Sequence, residues 1–385
     1  MKSFLDFSPN PSEAQSAKVE SMKRLLLILL LIAGIAACRT HPSESKVTRD
    51  ATMAASETVS AQPLPSADQN SVSSSMSKLL ADLSPAQVDR ATFPVNVENC
   101  GRTLTFQQPP QRVISLWQPP NELLLALGVE KNIIGFAGNY TDLLPNFAEA
   151  AQSIPSLGTA THWPSREVML TQNPDLVISE GLEGFAFDPA AGYATVAELE
   201  RNGVQVFSTG SICTPQQAAD RGMNGVYDDL RYLGQIFGVS ERAKVLITRL
   251  QQREAAISQR VAGRERVPTV FYNGGEGPLA VLTSGVWREA IVKAGGKPIF
   301  DKTVFQVGVE EFANSNAAVI LVGFYPGQNP DQLITFLKKT FPDLPAVKSD
   351  RLYPIPTIET EAGIRIMDGL EKMARAIHPE AFEGQ

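Results

Sequence analysis

The chain has 385 residues, 43% of them hydrophobic, and 34 basic against 41 acidic side chains give it a net charge of −7. A chain this acidic is not built to coat nucleic acid, and its length suits one large domain or two lobes. Its three histidines, His41, His162 and His378, are too far apart in sequence and context to converge on a zinc or manganese ion, which needs several such ligands at one point, so no metal-ligating residues are assigned.

The first element is an apolar run of 13 residues from Leu25 to Ala37. A helix that spans a bilayer needs roughly 20 such residues, so a stable span is not expected. Lys23 and Arg24 precede the run and small residues close it, which is the pattern of a secretory signal. Residues 1–37 are read as a signal peptide with its core at 22–37, and residues 1–21 as an upstream extension or a misplaced start. The exit, Ile35-Ala36-Ala37-Cys38, resembles the lipobox of bacterial lipoproteins. That resemblance implies lipidation of Cys38 and an exported protein anchored to the periplasmic or extracellular face of a membrane; the alternative is an ordinary cleaved signal with a chance cysteine. The removed segment carries four basic and three acidic residues, so the mature net charge shifts from −7 to −8.

Residues 38–92 are rich in Ser, Ala, Thr, Pro and Gln and contain no aromatic residue before Phe93. Such a segment buries too little apolar surface to offset its ordering entropy, so it reads as a disordered tether, with room for one short helix at "SKLLADL". From residue 93 to 214, short β-branched runs alternate with helical stretches: "RVISLW" is a strand, "NELLLALG" a helix ended by Gly128, "NIIGFAG" a strand, then "PDLVIS", the helical "YATVAELERNG" and "VQVFS". Strand, helix, strand units of this kind make parallel sheets. Residues 215–263 carry no strand pattern. Their apolar residues fall at helical spacing in two helices, one closed by Gly238 and one that starts at Ser240 as a cap and runs about 30 Å. Residues 264–385 repeat the alternation in "PTVFYN", "GVWREAIVKAGG", "AAVILVG", "PDQLITFLKKTF", "LYPIP" and a last helix from Gly363 to Ile377. The expected fold is α/β, with two lobes joined by a single long helix; one large α/β domain bearing a surface helix is the alternative.

The segments "FPVNVENCGRTLTFQQPPQRVISLW", "VMLTQNPDLVIS", "DDLRYLGQIFGV" and "IRIMDGLEKMARAIHPEAF", in this order, resemble the iron-siderophore and cobalamin class of substrate-binding proteins of ABC importers, over nearly the whole body from Phe93 to Phe382. The resemblance implies two Rossmann-like lobes on a helical backbone (the class III arrangement), no catalysis and no cofactor, and a ligand that is a ferric siderophore or similar iron chelate, with cobalamin or haem as the alternative. It further implies an ABC permease, with its ATPase behind it, as partner of a monomeric receptor. The sequence has no G-x-S-x-G elbow, and "NGGEG" lacks the order of a phosphate loop; a surface-anchored α/β hydrolase is the rival from another class.

Ligands of open α/β sheets sit beyond the carboxyl ends of the strands. Those ends and nearby loops carry Trp117, Gln118, Tyr140, Trp163 and Phe185 in the first lobe and Asn273, Trp287, Phe324 and Tyr325 in the second, rings and amides that suit a bulky, partly flat organic ligand. Arg365 stands where the family has a G-x-R and is assigned to an anionic chelate. Permease docking is assigned by the same resemblance to one acid per lobe, Glu289 in the second and Glu198 in the first, with Glu200 and the neighbourhood of Tyr193 as alternatives. In an exported chain Cys100 and Cys213 are expected to pair, closing a loop whose entropy is on the order of 4 to 5 kcal/mol.

Overall fold

A computed structural model describes residues 76, 78–81, 83, 93–210, 213 and 222–383. The signal segment, Cys38 and most of the tether lie outside the described residues. Within the tether, residues 78–81 are helical, Met76 and Leu80 are buried in the main core, and the Leu79 carbonyl accepts a hydrogen bond from Arg249 at 2.6 Å.

A hairpin opens the body: β1 (Val95–Asn99) pairs antiparallel with β2 (Arg102–Phe106). Its two turn residues, Cys100 and Gly101, both have positive φ, 57° and 71°, the backbone of a tight primed turn. The first lobe follows as β3 (Val113–Ser115), α1 (Gln118–Leu127), β4 (Ile133–Phe136), α2 (Arg166–Thr171), β5 (Leu176–Glu180), α3 (Val196–Arg201) and β6 (Gln205–Thr209). Leu123, Leu124 and Leu127 bury one face of α1, and Gly128, at φ 71°, ends it by handing its N–H back to Leu124 and Leu125. Ser165 and Thr195 cap α2 and α3 by accepting the backbone N–H groups of Val168 and Glu198. The four strands are parallel in the order β4-β3-β5-β6.

α4 (Asn224–Ile236) and α5 (Ser240–Arg260) connect the lobes. Val239, not Ser240, occupies the cap position of α5, since the Gly238 turn at φ 67° leaves Ser240 already helical. The second lobe contains β7 (Val267–Tyr272), β8 (Leu279–Ala280), α6 (Gly285–Lys293), β9 (Gly296–Pro298), β10 (Gln306–Val307), β11 (Val319–Phe324), α7 (Pro330–Thr340), β12 (Leu352–Pro356) and α8 (Ile366–Ile377). Its main sheet is again parallel, in the order β12-β11-β7-β9. Counted by position in each lobe, the two orders are the same, with the chain turning back on itself between β3 and β5 in one lobe and between β7 and β11 in the other.

One apolar core runs through both lobes and both connecting helices, from Leu123 and Ile178 through Leu233 and Leu250 to Phe271 and Leu370. α5 is pinned at each end: Arg242 donates to the Ala126 carbonyl at 2.7 Å, and Arg253 pairs with Asp368 at 2.7 Å and Glu371 at 3.0 Å on α8. Cys100 and Cys213 form a disulfide with Cα atoms 5.2 Å apart. Beside it the Asn99 amide donates to the Ser208 carbonyl and accepts the Ser208 N–H, both at 2.9 Å, and Arg102 donates to the Val206 carbonyl at 2.8 Å.

The lobes are also joined directly. Glu122, on α1, has 1% of its side chain exposed and is gripped by Arg365, the cap residue of α8, through Nη2 at 2.5 Å and Nε at 2.8 Å. Leu144 N–H donates to the same carboxylate at 3.3 Å, and Arg365 also donates to the Asp142 carbonyl at 2.6 Å. Arg365→Ala is expected to leave a buried carboxylate uncompensated and to cost about 3 to 5 kcal/mol in chemical denaturation, and Met at both positions to recover most of that. A loss under about 1 kcal/mol, the range of an exposed pair, would show that the pair does not brace the lobes.

Candidate functional site: a ring-lined cleft at the strand ends

The chain reversals noted above leave a crevice beyond the carboxyl ends of β3 and β5, and a second beyond β7 and β11; such switch points are where open α/β sheets bind ligands. In the first lobe the crevice is a cavity of about 390 Å³, lined by Leu116 and Trp117 after β3, by Ser179 to Ala186 at and beyond the end of β5, and by Trp163. That volume lies within the range of small-molecule sites. A larger concavity of about 690 Å³, between the Gly128 turn, Arg242 and Leu80, Ala81 and Leu83, has neither clustered rings nor buried unpartnered polar atoms among the described residues, and so lacks the features that select a ligand.

Trp117 is the centre of the wall. Its ring lies 5.3 Å from Tyr140 and 6.1 Å, nearly parallel, from Trp163, whose indole N–H is fixed by the Leu116 carbonyl at 2.8 Å. Gly138 makes room for it, because a Cβ there would stand 2.9 Å from the Leu116 carbonyl and 3.0 Å from Trp117. Trp163 in turn meets Phe185 edge-on at 6.3 Å and Tyr193 at 5.8 Å. Phe185 is 76% exposed at the rim and has φ 40°, an unusual backbone for a bulky residue. From the second lobe Tyr325 reaches Tyr140, ring centres 6.0 Å apart, so the two lobes touch through aromatic faces at the cleft.

Five of the ring residues expected from sequence thus come together: Trp117, Tyr140, Trp163, Phe185 and Tyr325. Asn273 stands beside them at the end of β7, taking a hydrogen bond from Thr357 at 3.4 Å. Phe324 ends β11 half-buried, without a ring partner among the described residues. Trp287 faces the interior of its own lobe, donating to Thr360 at 3.1 Å. Gln118 is fully buried, its carbonyl taking the N–H groups of Tyr140 and Thr141, both at 3.0 Å; it shapes the Tyr140 loop from beneath. Arg365 does not present a free cation to the cleft, for Glu122 neutralises it. The two acids assigned to docking already have partners: Glu198 is held by Arg166 at 2.7 Å, and Glu289 takes the Met223 N–H at 2.6 Å and pairs with Lys293 at 3.2 Å.

Three residues join the site that the sequence reading passed over. Tyr193 extends the ring wall, and Glu180 and Glu361 supply its acid. Glu180 is the last residue of β5 and lines the cavity; Glu361, 8% exposed, follows β12 and turns toward Trp117 and Tyr140 of the other lobe. The indole N–H of Trp117, the Tyr140 hydroxyl and one Glu361 oxygen are all buried and influence one another, yet none closes a hydrogen bond of ordinary geometry. Glu180 stands at the end of a strand, a position at which a buried-sheet reading could have flagged it, whereas Glu361 follows the short 3-10 turn Thr357–Thr360 after β12.

The architecture is that of a two-lobed α/β protein with a ring-lined cleft where the lobes meet. The chain belongs to the periplasmic binding protein family, whose model matches residues 113–358. It is 19% identical over 313 residues, 78% of this chain and 90% of the relative, to an uncharacterized ABC transporter substrate-binding lipoprotein, YvrC, of Bacillus subtilis. Among solved structures, a periplasmic binding protein from Veillonella parvula superposes with a TM-score of 0.65 at 21% identity, covering 74% of this chain and 97% of its own. An ABC-type Fe3+-hydroxamate transport protein from Saccharomonospora viridis superposes with a TM-score of 0.63 at 26% identity, covering 76% of this chain and all of its own.

Burial pushes the Glu180 carboxyl up to about 7 and that of Glu361 to about 8, where the Glu180 charge adds to the effect of burial. The folded chain therefore keeps protons that the unfolded chain gives up above its ordinary value of 4.5. Unfolding releases protons in that window, so this contribution is fully present below pH 4.5 and falls as the pH rises toward 8. The Glu361→Gln variant is expected to lose less melting temperature than the wild type between those limits; parallel melting curves would show that Glu361 is not held protonated by the fold.

Proposed function

We propose that this protein is the extracytoplasmic receptor of an ABC importer, capturing a ferric siderophore or a similar iron chelate and passing it to a permease. The observation that carries this reading is the cleft itself: a wall of stacked rings at the switch point of one lobe, met across the cleft by Tyr325 of the other. A chelate whose own donors enclose the iron presents a broad, largely organic surface, which aromatic faces bind well. The described residues place no His, Cys, Asp or Glu cluster for a bare metal, which fits a cargo that brings its own ligands. The similarity to an Fe3+-hydroxamate transport protein points the same way. Cobalamin and haem remain the alternative cargoes of the same fold.

In this reading residues 1–37 direct export, Cys38 carries the lipid, residues 38–92 act as the tether, and residues 93–214 and 264–385 are the capturing lobes. The protein works as a monomer. The shared core and the twice-pinned α5 favour a small rocking closure over a wide hinge swing. Glu198 and Glu289 are proposed to meet basic residues of the permease, each joining an ion pair already formed within the chain.

Tryptophan fluorescence, titrated with a panel of ferric siderophores, haem and corrinoids, is expected to show quenching at micromolar or lower concentration by a ferric siderophore. Trp117→Ala and Tyr325→Ala should each weaken that binding by roughly 1 to 3 kcal/mol, as the loss of an anchoring ring does. No response to any member of the panel would overturn the choice of cargo.

A further inference from the structure

The cleft is acidic as well as aromatic. Glu180 and Glu183 line the cavity, and Glu361 approaches it from the second lobe. No Lys, Arg or His lines it among the described residues, and the arginine at its edge, Arg365, is taken by the fully buried Glu122. Glu180 and Glu361 each bear on Tyr140 and Tyr325, so the acids and the contact between the lobes share one place.

A purely structural role for the two buried acids would be to hold the lobes through hydrogen bonds to neighbouring rings. That role predicts well-formed bonds, whereas here the Glu361 oxygen, the Trp117 N–H and the Tyr140 hydroxyl approach one another without closing a hydrogen bond of ordinary geometry. Buried polar groups left unpaired are costly, and a bound molecule with a donor placed among them would remove that cost. The faces of Trp117, Tyr140 and Tyr325 are negative, and a cation placed beside the two buried carboxyl groups draws them into their ionised form, so both kinds of group favour the same sign of ligand charge.

Resting on the receptor reading above, we propose that Glu180 and Glu361 select a cargo with positive charge: a ferric chelate that carries a protonated amine, its ammonium held between the two carboxyl groups against the faces of Trp117, Tyr140 and Tyr325. The same groups repel strongly anionic cargo, including tris-catecholate and citrate chelates and haem with its two propionates.

The test compares a linear ferric trihydroxamate bearing a free terminal amine with its N-acetylated form, which removes only the charge, and with a ferric tris-catecholate. Fluorescence titration of the full mature chain should rank the free amine about tenfold or more above the acetylated chelate, a difference of about 1.4 kcal/mol, and the tris-catecholate weakest. Glu361→Gln and, independently, Glu180→Gln should each lower affinity for the free amine more than for the acetylated chelate and so shrink the preference; the second variant decides the matter if circular dichroism shows the first to be misfolded. Equal affinity for the two trihydroxamates, or tightest binding of the tris-catecholate, would overturn the charge selection and leave the receptor standing. Binding of none of the three, with response to haem or a corrinoid instead, would overturn the siderophore reading and this inference with it.

Discussion

The site depends on a buried ion pair. Glu122 lies on the helix that begins directly after Trp117, and Arg365 begins the helix that follows Glu361, so the bond between them fixes the two loops that face each other across the cleft. Two charges withdrawn from water repay their desolvation only when geometry and supporting hydrogen bonds are good. Here the guanidinium is gripped at two nitrogens, and the Leu144 N–H and Asp142 carbonyl take up remaining capacity. A weaker bond would let the lobes turn independently about α5, and the contact between Tyr140 and Tyr325 would be lost.

The two walls divide the work unequally. The first lobe supplies five rings, a cavity and one acid; the second supplies one ring, an amide and a second acid. Because a single core runs beneath both, the walls are held at a set spacing by packing as well as by charge. Rigidity of this kind suits a receptor that must bind without paying for large rearrangement.

Much of this was legible in the sequence because the relevant signals are periodic or positional. The alternation of β-branched runs and helices marked both parallel sheets, and the strand ends with the loops near them pointed to Trp117, Tyr140, Trp163, Phe185 and Tyr325, whose rings the structure brings together. The rule failed where a side chain had a competing partner that only tertiary structure reveals. Arg365 read as a free cation because Glu122 is 243 residues away in the chain, and Gln118 read as a ligand contact although its amide is consumed by the Tyr140 loop. Glu180 and Glu361 escaped because an acid at the end of a strand, or in the turn after one, looks like an ordinary solvated charge until its surroundings are known. β8, β9 and β10 are two or three residues long, too short for any period to show.

The hairpin next to the disulfide has a consequence for the chain before it ever meets a ligand. β6 is the last strand of its sheet, and its outward groups at Val206 and Ser208 are met by the side chains of Arg102 and Asn99 in place of a neighbouring backbone. An open edge of this kind is a template on which another molecule's strand can add. Asn99 and Arg102 occupy the bonding positions a fifth strand would use without offering a backbone to continue the sheet, and the Cys100–Cys213 link keeps them there. That edge of the first lobe is thereby closed to edge-to-edge polymerisation.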